Sequence, residues 1–249
     1  MRKATQWIRK RWMLFGITLA RWAAPLKKWK MAVGDNMVLS CLLTTPKQFD
    51  GSDWPGGKPP LLAMFRPPKG AGRWELLAAE PTPENPNPKK QDFKKLDLEA
   101  MPLFGGKAYI FVTDNYDRPT RYIVRCHKGG RVEDSDIMLS KIDKGPTPFS
   151  QEFVSVDPGA PVEFTWPDPP NKDHWIHFLV VAEGEELLTG VYTRRTAWQY
   201  PRVSDLPYYI HDPMKAPKMR KGKTYYMMYH AVDSDAWVTQ LCERTFTCR

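Results

Sequence analysis

The features that would assign a chemistry are missing from this chain of 249 residues. It has no Gly-x-Ser-x-Gly, no phosphate loop ending in Gly-Lys-Ser/Thr, no His-Glu-x-x-His and no Gly-x-Gly-x-x-Gly. The nucleophile elbow, the nucleotide loop, the zinc helix and the dinucleotide turn therefore have no sequence basis. Four cysteines, at 41, 126, 242 and 248, form no Cys-x-x-Cys, which removes zinc ribbons and attached haem. They are also too few for a disulfide-dense scaffold. The longest apolar run falls short of the about 20 residues a membrane-crossing helix needs. Acidic residues are absent from the first thirty positions.

That last absence locates the charge. The formal net charge is +9, from 37 Lys and Arg against 28 Asp and Glu. Nine of the basic residues lie within residues 1–30, so the rest of the chain is formally neutral. A basic tail and a basic globule imply different partners. The tail is also patterned. Ile8, Trp12, Phe15, Leu19, Trp22, Leu26 and Trp29 follow alternating steps of four and three, which places them on one stripe of a helix. Arg9, Lys10, Arg11, Arg21, Lys27 and Lys28 supply the charge around that stripe. Trp-rich apolar positions flanked by cations suit a membrane interface, with Pro25 kinking or restarting the helix. A protein partner would fit the same stripe. A signal peptide is the third reading, but Arg21 and Trp22 stand where small residues should precede a cut. A lipoprotein signal ending at Cys41 fails because Gly34, Asp35 and Asn36 break the preceding apolar run. A spanning helix over 12–26 would be short and would carry Arg21.

Beyond residue 35 short runs rich in Val, Ile, Tyr, Phe and Trp alternate with Pro, Gly and Asp. This pattern predicts an all-β chain. Residues 81–90 are too Pro-dense for a sheet interior, and 92–100 suggest one short helix. The expected organisation is a tail at 1–33, a sandwich at 36–130, a connector at 131–150 and a second sandwich at 151–249.

The last hundred residues resemble a fibronectin type III domain. Val162, Phe164 and Trp166 alternate and then stop at a Pro-rich turn, as in the second strand of that fold. Trp175–Ala182 is similar to its third strand. Met219-x-x-Gly222-x-x-Tyr225-x-Met227-x-Tyr229-x-Ala231 resembles the family pattern leading into its penultimate strand. The resemblance implies that Tyr225 plugs a corner and sends its hydroxyl to backbone, as in sandwich folds generally. Thr245-Phe246-Thr247 begins or forms the last strand. Landmarks recur upstream: Leu61, Ala63 and Phe65 precede Pro67-Pro68, Trp74 stands for Trp175, and Leu103-x-x-Gly106-x-x-Tyr109 repeats the corner motif. Residues 109–115 and 120–126 read as adjacent strands. The expected fold is thus a tandem of fibronectin III or immunoglobulin-like sandwiches behind an amphipathic helix.

No catalytic residue emerges. The five histidines share no signature. His174 and His177 would point to opposite faces of one strand, so they offer no joint metal site. Glu133-Asp134-Ser-Asp136 and Asp114-Asn115-x-Asp117 carry oxygen donors without an EF-hand frame. Cys242 and Cys248 would need a turn to bridge, Cys41 with Cys126 would join the first and last strands of the first sandwich, and unpaired thiols are equally open. Trp198, Tyr200, Tyr208, Tyr209 and Trp237 fall in or near expected loops, where aromatics anchor interfaces, stack sugars or simply fill the core.

These observations point to a non-catalytic accessory or scaffold subunit, docked on a membrane surface or on a membrane complex such as a respiratory or photosynthetic assembly. The alternative is an extracytoplasmic carbohydrate- or ligand-binding module. No cofactor or metal is expected. The neutral body argues against nucleic acid, whose affinity rests on neutralised phosphates, and nothing suggests a small-molecule substrate. Membrane association is expected, with the cytoplasmic face favoured by its anionic lipid and the periplasmic face as the alternative.

Overall fold

A computed structural model describes residues 40–44, 60–68, 70–82, 84–113, 116–167, 174–184, 186–193, 195–200, 208–209 and 217–249. The described residues are organised by β-sheets with a few short 3-10 turns.

The first unit contains β1 (Ser40–Thr44), β2 (Leu61–Arg66), β3 (Arg73–Ala79), β4 (Lys94–Lys95), β5 (Met101–Leu103), β6 (Ala108–Thr113), β7 (Arg121–Lys128), β8 (Arg131–Asp134) and β9 (Met138–Leu139). One sheet runs β1-β2-β6-β5, and the other runs β4-β3-β7-β8 with β9 also on β7. Leu61, Ala63, Phe65, Phe111, Leu76, Tyr122, Val124 and Cys126 fill the space between them.

The second unit contains β10 (Ser155–Asp157), β11 (Glu163–Thr165), β12 (His174–Glu183), β13 (Glu186–Thr193), β14 (Ala197–Gln199), β15 (Tyr208–Tyr209), β16 (Thr224–Asp233) and β17 (Val238–Thr247). A three-stranded sheet, β10-β11-β14, covers a five-stranded one, β15-β13-β12-β16-β17. Val162, Phe164 and Trp166 meet Leu179, Val181, Tyr225, Met227 and Tyr229 in its core. The corner expected at Tyr225 is present. Its hydroxyl accepts the Arg220 backbone N–H at 2.7 Å. Gly222 permits the turn before it with φ +75, a backbone region that L side chains rarely adopt.

The two sandwiches stack face to face. Alternate residues of β2 point opposite ways: Leu61, Ala63 and Phe65 enter the first core, while Met64 and Leu62 pack outward. The outward set, with Ile110, Met101, Leu103 and Phe104, meets Phe178, Val180, Met228, Val232, Val238 and Leu241 of the five-stranded sheet. The result is four sheets in layers with an apolar core in each of three gaps. The β16–β17 hairpin tip crosses the boundary, because Ala236 and Trp237 pack into the first sandwich.

The chain between the units is fastened along β17. Pro148 accepts from the Leu241 N–H at 3.0 Å, and Ser150 donates its N–H to the Leu241 carbonyl at 3.1 Å. The Thr147 hydroxyl donates to the Val238 carbonyl at 2.9 Å. A strand edge that would otherwise expose open N–H and C=O groups is covered in this way.

Several expectations need correction. Residues 92–100 form no helix; a 3-10 turn at Lys90–Asp92 leads into β4, and Phe93 is drawn into a small apolar cluster with Leu77 and Ile123. Residues 109–115 and 120–126 do not make adjacent strands. The β6 strand pairs with β2 and β5, whereas β7 pairs with β3, β8 and β9 in the opposite sheet. For the same reason Tyr109 is not the counterpart of Tyr225, which lies on a strand paired with β12. The strands from 131 to 139 extend the first sandwich into the stretch read as connector. Cys242 lies on β17 and Cys248 just beyond its end, with no turn between them. At about 3.3 Å per residue they stand about 20 Å apart, too far to bridge.

Candidate interaction surfaces

The tail stripe, Ile8, Trp12, Phe15, Leu19, Trp22, Leu26 and Trp29, and its basic flank lie outside the described residues. Three of the five candidate interface aromatics are core residues. Trp198 (4% exposed) packs on Phe164, and Tyr200 (3%) packs on Trp198 and donates its hydroxyl to the Pro217 carbonyl at 2.5 Å. Trp237 (3%) closes the first core from the second sandwich. Their neighbouring prolines suggested loops, but edge strands and hairpin tips bury large rings equally well. Tyr208 and Tyr209 sit on β15, whose backbone pairs with Tyr192 and Val191 at the edge of the five-stranded sheet.

Sequence reasoning missed a polar set in the gap between the sandwiches. His230, Tyr226 and Glu243 share the face of β16 and β17 that packs on the first unit, as the register of these strands requires. His230 lies against Phe178, its Nδ1 has no partner, and burial pushes it down to about 3. Burial pushes Glu243 up to about 7, an effect the neighbouring Tyr226 hydroxyl partly offsets. Two residues beyond Ala231, at the hairpin, Asp233 accepts the N–H groups of Asp235 and Trp237 and pairs with Lys141 at 2.7 Å. Lys141 also reaches Asp235 at 2.6 Å, which ties the end of the first sandwich to the hairpin of the second.

The outer face of the β4-β3-β7-β8 sheet is charged and ordered in rows. Register aligns Arg73, His127 and Val132 in one row and Glu75, Arg125 and Asp134 in the next. Arg125 grips Asp134 through two bonds of 2.8 and 3.1 Å. Burial would raise Glu75, but Lys95 at 3.2 Å and Arg73 hold it below the usual carboxylate range. The β7–β8 turn is Gly129-Gly130, with φ of +53 and +79, the two-residue geometry that matches strand twist.

The free edge of this sheet is β8. Ser135 donates its N–H to the Val124 carbonyl, which fixes the alternation: Arg131 and Glu133 bond toward β7, and Val132 and Asp134 turn their backbone groups outward. Among the described residues nothing pairs with that outer edge. Val132 is 55% exposed, an unusual state here for a large apolar side chain. One carboxylate oxygen of Glu133 is buried without a hydrogen-bond partner.

Cys126, Cys242 and Cys248 are free, buried thiols, and burial pushes the first up to about 12 and the second up to about 11. Thiols held protonated in this way are poor nucleophiles and metal ligands. His177, taken above with His174, is a core residue whose Nδ1 lies 2.9 Å from the Tyr229 hydroxyl. Among the described residues no three His, Cys, Asp or Glu side chains gather as metal ligands. No described helix is long and apolar enough to cross a membrane.

The strand order defines both units as β-sandwiches of the fibronectin III and immunoglobulin-like kind: antiparallel sheets, a strand that crosses between them before β7, and in the second unit the tyrosine corner. No family model matches the chain, and neither does any curated protein. Among solved structures, the FN1-FN3 domains of chicken CNTN1 align at 10% identity over 76% of this chain and 62% of that one, with a TM-score of 0.30. Domains from titin align at 12% identity over 76% of this chain and 57% of theirs, with a TM-score of 0.26. The chain therefore spans less than two thirds of either structure.

Proposed function

We propose that this protein is a non-catalytic accessory or scaffold subunit that its first thirty-three residues hold to a membrane or to a membrane complex. The observation that carries this reading is a division of labour. The body is formally neutral, and its described large aromatics go mostly into internal packing. The tail gathers nine cations, no acids and a regular stripe of Trp, Phe, Leu and Ile. A fused body with three internal cores suits a rigid spacer that presents edges and faces, and the tail suits an anchor. The cytoplasmic face is the favoured side, because anionic lipid adds about 1 kcal/mol for each basic residue held near it. Burial of Trp198, Tyr200 and Trp237 takes three aromatics away from the rival sugar-platform reading.

The test is to wash native membranes in turn with high salt, carbonate and mild detergent, following the full chain throughout. Retention until detergent, with release in a stoichiometric complex, is the expected result. Release by salt alone would discard the subunit reading. Recovery from the soluble fraction before any wash would discard membrane association as well.

A further inference from the structure

The geometry points to the outer edge of β8 as a docking site for an extended, basic strand of a partner protein. The inference deepens the reading of this chain as a docking module, and it concerns the body instead of the tail.

Four observations converge. The backbone N–H and C=O groups of Val132 and Asp134 face outward, and an added strand would take them as a ladder. The charge row Glu75, Arg125, Asp134 alternates negative, positive, negative, so the next place in the row calls for a cation. On the other side of the strand, Glu133 holds a buried carboxylate oxygen that no described group satisfies. Exposed Val132 sets the apolar register position beside them.

Edge strands are commonly protected by charge. Here the protection is selective. Two adjacent acids repel acidic strands and penalise neutral ones, while a strand with Lys or Arg opposite Asp134 turns the penalty into a pair. The partner segment therefore carries an apolar residue and a basic residue two positions apart on one face, with a hydroxyl or cation on the other face for Glu133.

The probe is the labelled peptide Thr-Val-Thr-Lys-Thr-Val-Thr-Lys, titrated against the full chain and compared with the same peptide bearing Glu for Lys. The expected result is at least tenfold preference for the Lys peptide, together with new hydrogen-exchange protection at the Val132 and Asp134 amides. Val132→Pro removes an outward N–H without touching the bonds to β7, and it should weaken binding at least tenfold at unchanged circular dichroism. Asp134→Asn should erase most of the Lys preference. If Val132→Pro does not fold, the exchange pattern of the unaltered chain decides the matter. Equal binding of both peptides, or protection elsewhere, overturns the proposal. Protection of both amides before any peptide is added also overturns it, since the chain itself would then occupy the edge. None of these readings depends on membrane retention, so failure here and failure of the anchoring role are separable.

Discussion

Glu243 offers the sharpest test of how the two sandwiches are joined. Replacing it with Gln keeps the shape of the side chain and removes only its ability to ionise. The carboxyl is held at about 7 in the folded protein against an ordinary value of 4.5, because it lies in the gap between the sandwiches. At 1.36 kcal/mol per pH unit, that difference makes ionisation in the folded state cost at most about 3 kcal/mol. The sign follows from proton counting. Below about pH 4.5 the group is neutral in both states and costs nothing. Between 4.5 and 7 the unfolded chain gives up its proton and the folded chain keeps it, so stability falls as pH rises. Above 7 the full cost is present. Urea unfolding of the full chain at pH 4, 6 and 8 should show Glu243→Gln equal to the parent at pH 4 and more stable by up to about 3 kcal/mol at pH 8. A variant no more stable than the parent at pH 8 would refute the argument. So would a constant offset at every pH, since that would reflect packing instead of ionisation.

Three further outcomes follow from neighbouring residues. His230, held down to about 3 against 6.5, has the opposite sign: its contribution is complete above 6.5 and is lost as pH falls toward 3. Replacement with Phe should flatten the acid limb of the same unfolding series by up to about 5 kcal/mol, and an unchanged acid limb would show that the folded protein protonates His230 as readily as the unfolded chain does. Trp237→Ala should cost about 3–5 kcal/mol and lower the unfolding midpoints of both sandwiches together, because the ring packs into the first unit from a hairpin of the second; calorimetry that shows only one unit affected would contradict the shared core. Tyr225→Phe should cost about 1 kcal/mol, the value of a single hydrogen bond, read as a shift in urea midpoint at constant slope.

Much of the second sandwich was legible because its signals are local. Val162, Phe164 and Trp166 alternate on one strand and stop at prolines, and the Gly222 turn precedes a Tyr whose role depends only on its own corner. The first unit was read by likeness to the second, and the likeness misled where it relied on a short motif. Gly106-x-x-Tyr109 looks like Gly222-x-x-Tyr225, but strand pairing places the two tyrosines in opposite kinds of sheet. Three residues of spacing report a turn and say nothing of which neighbour the next strand will choose. The burial of the acids at Glu243, Glu75 and Glu133 was invisible for a similar reason. Burial of a charge on a strand is decided by what lies above the sheet, and that is set by distant sequence.

The face-to-face stacking did leave a trace in the sequence, in the strands that fail to alternate. A sheet with one wet face reads apolar-polar-apolar, as Glu163-Phe-Thr165 does on the outermost layer. The inner strands read otherwise. β2 is Leu-Leu-Ala-Met-Phe-Arg, β12 holds Phe-Leu-Val-Val-Ala, and β16 holds Tyr-Tyr-Met-Met-Tyr-His-Ala-Val. Such runs are the pattern of strands covered on both faces. Two separate sandwiches strung end to end would have no use for them, because each strand would show one face to water. The runs occur in both units, on strands that belong to the two sheets now found in contact, so the sequence carries half of the interface in each. Orientation of the units is thus written into the composition of the inner strands, while the linker and the Lys141–Asp233 pair fix its register. A rigid pair of this kind leaves its remaining chemistry at the outer layers and their edges, which is where the acids of β8 lie.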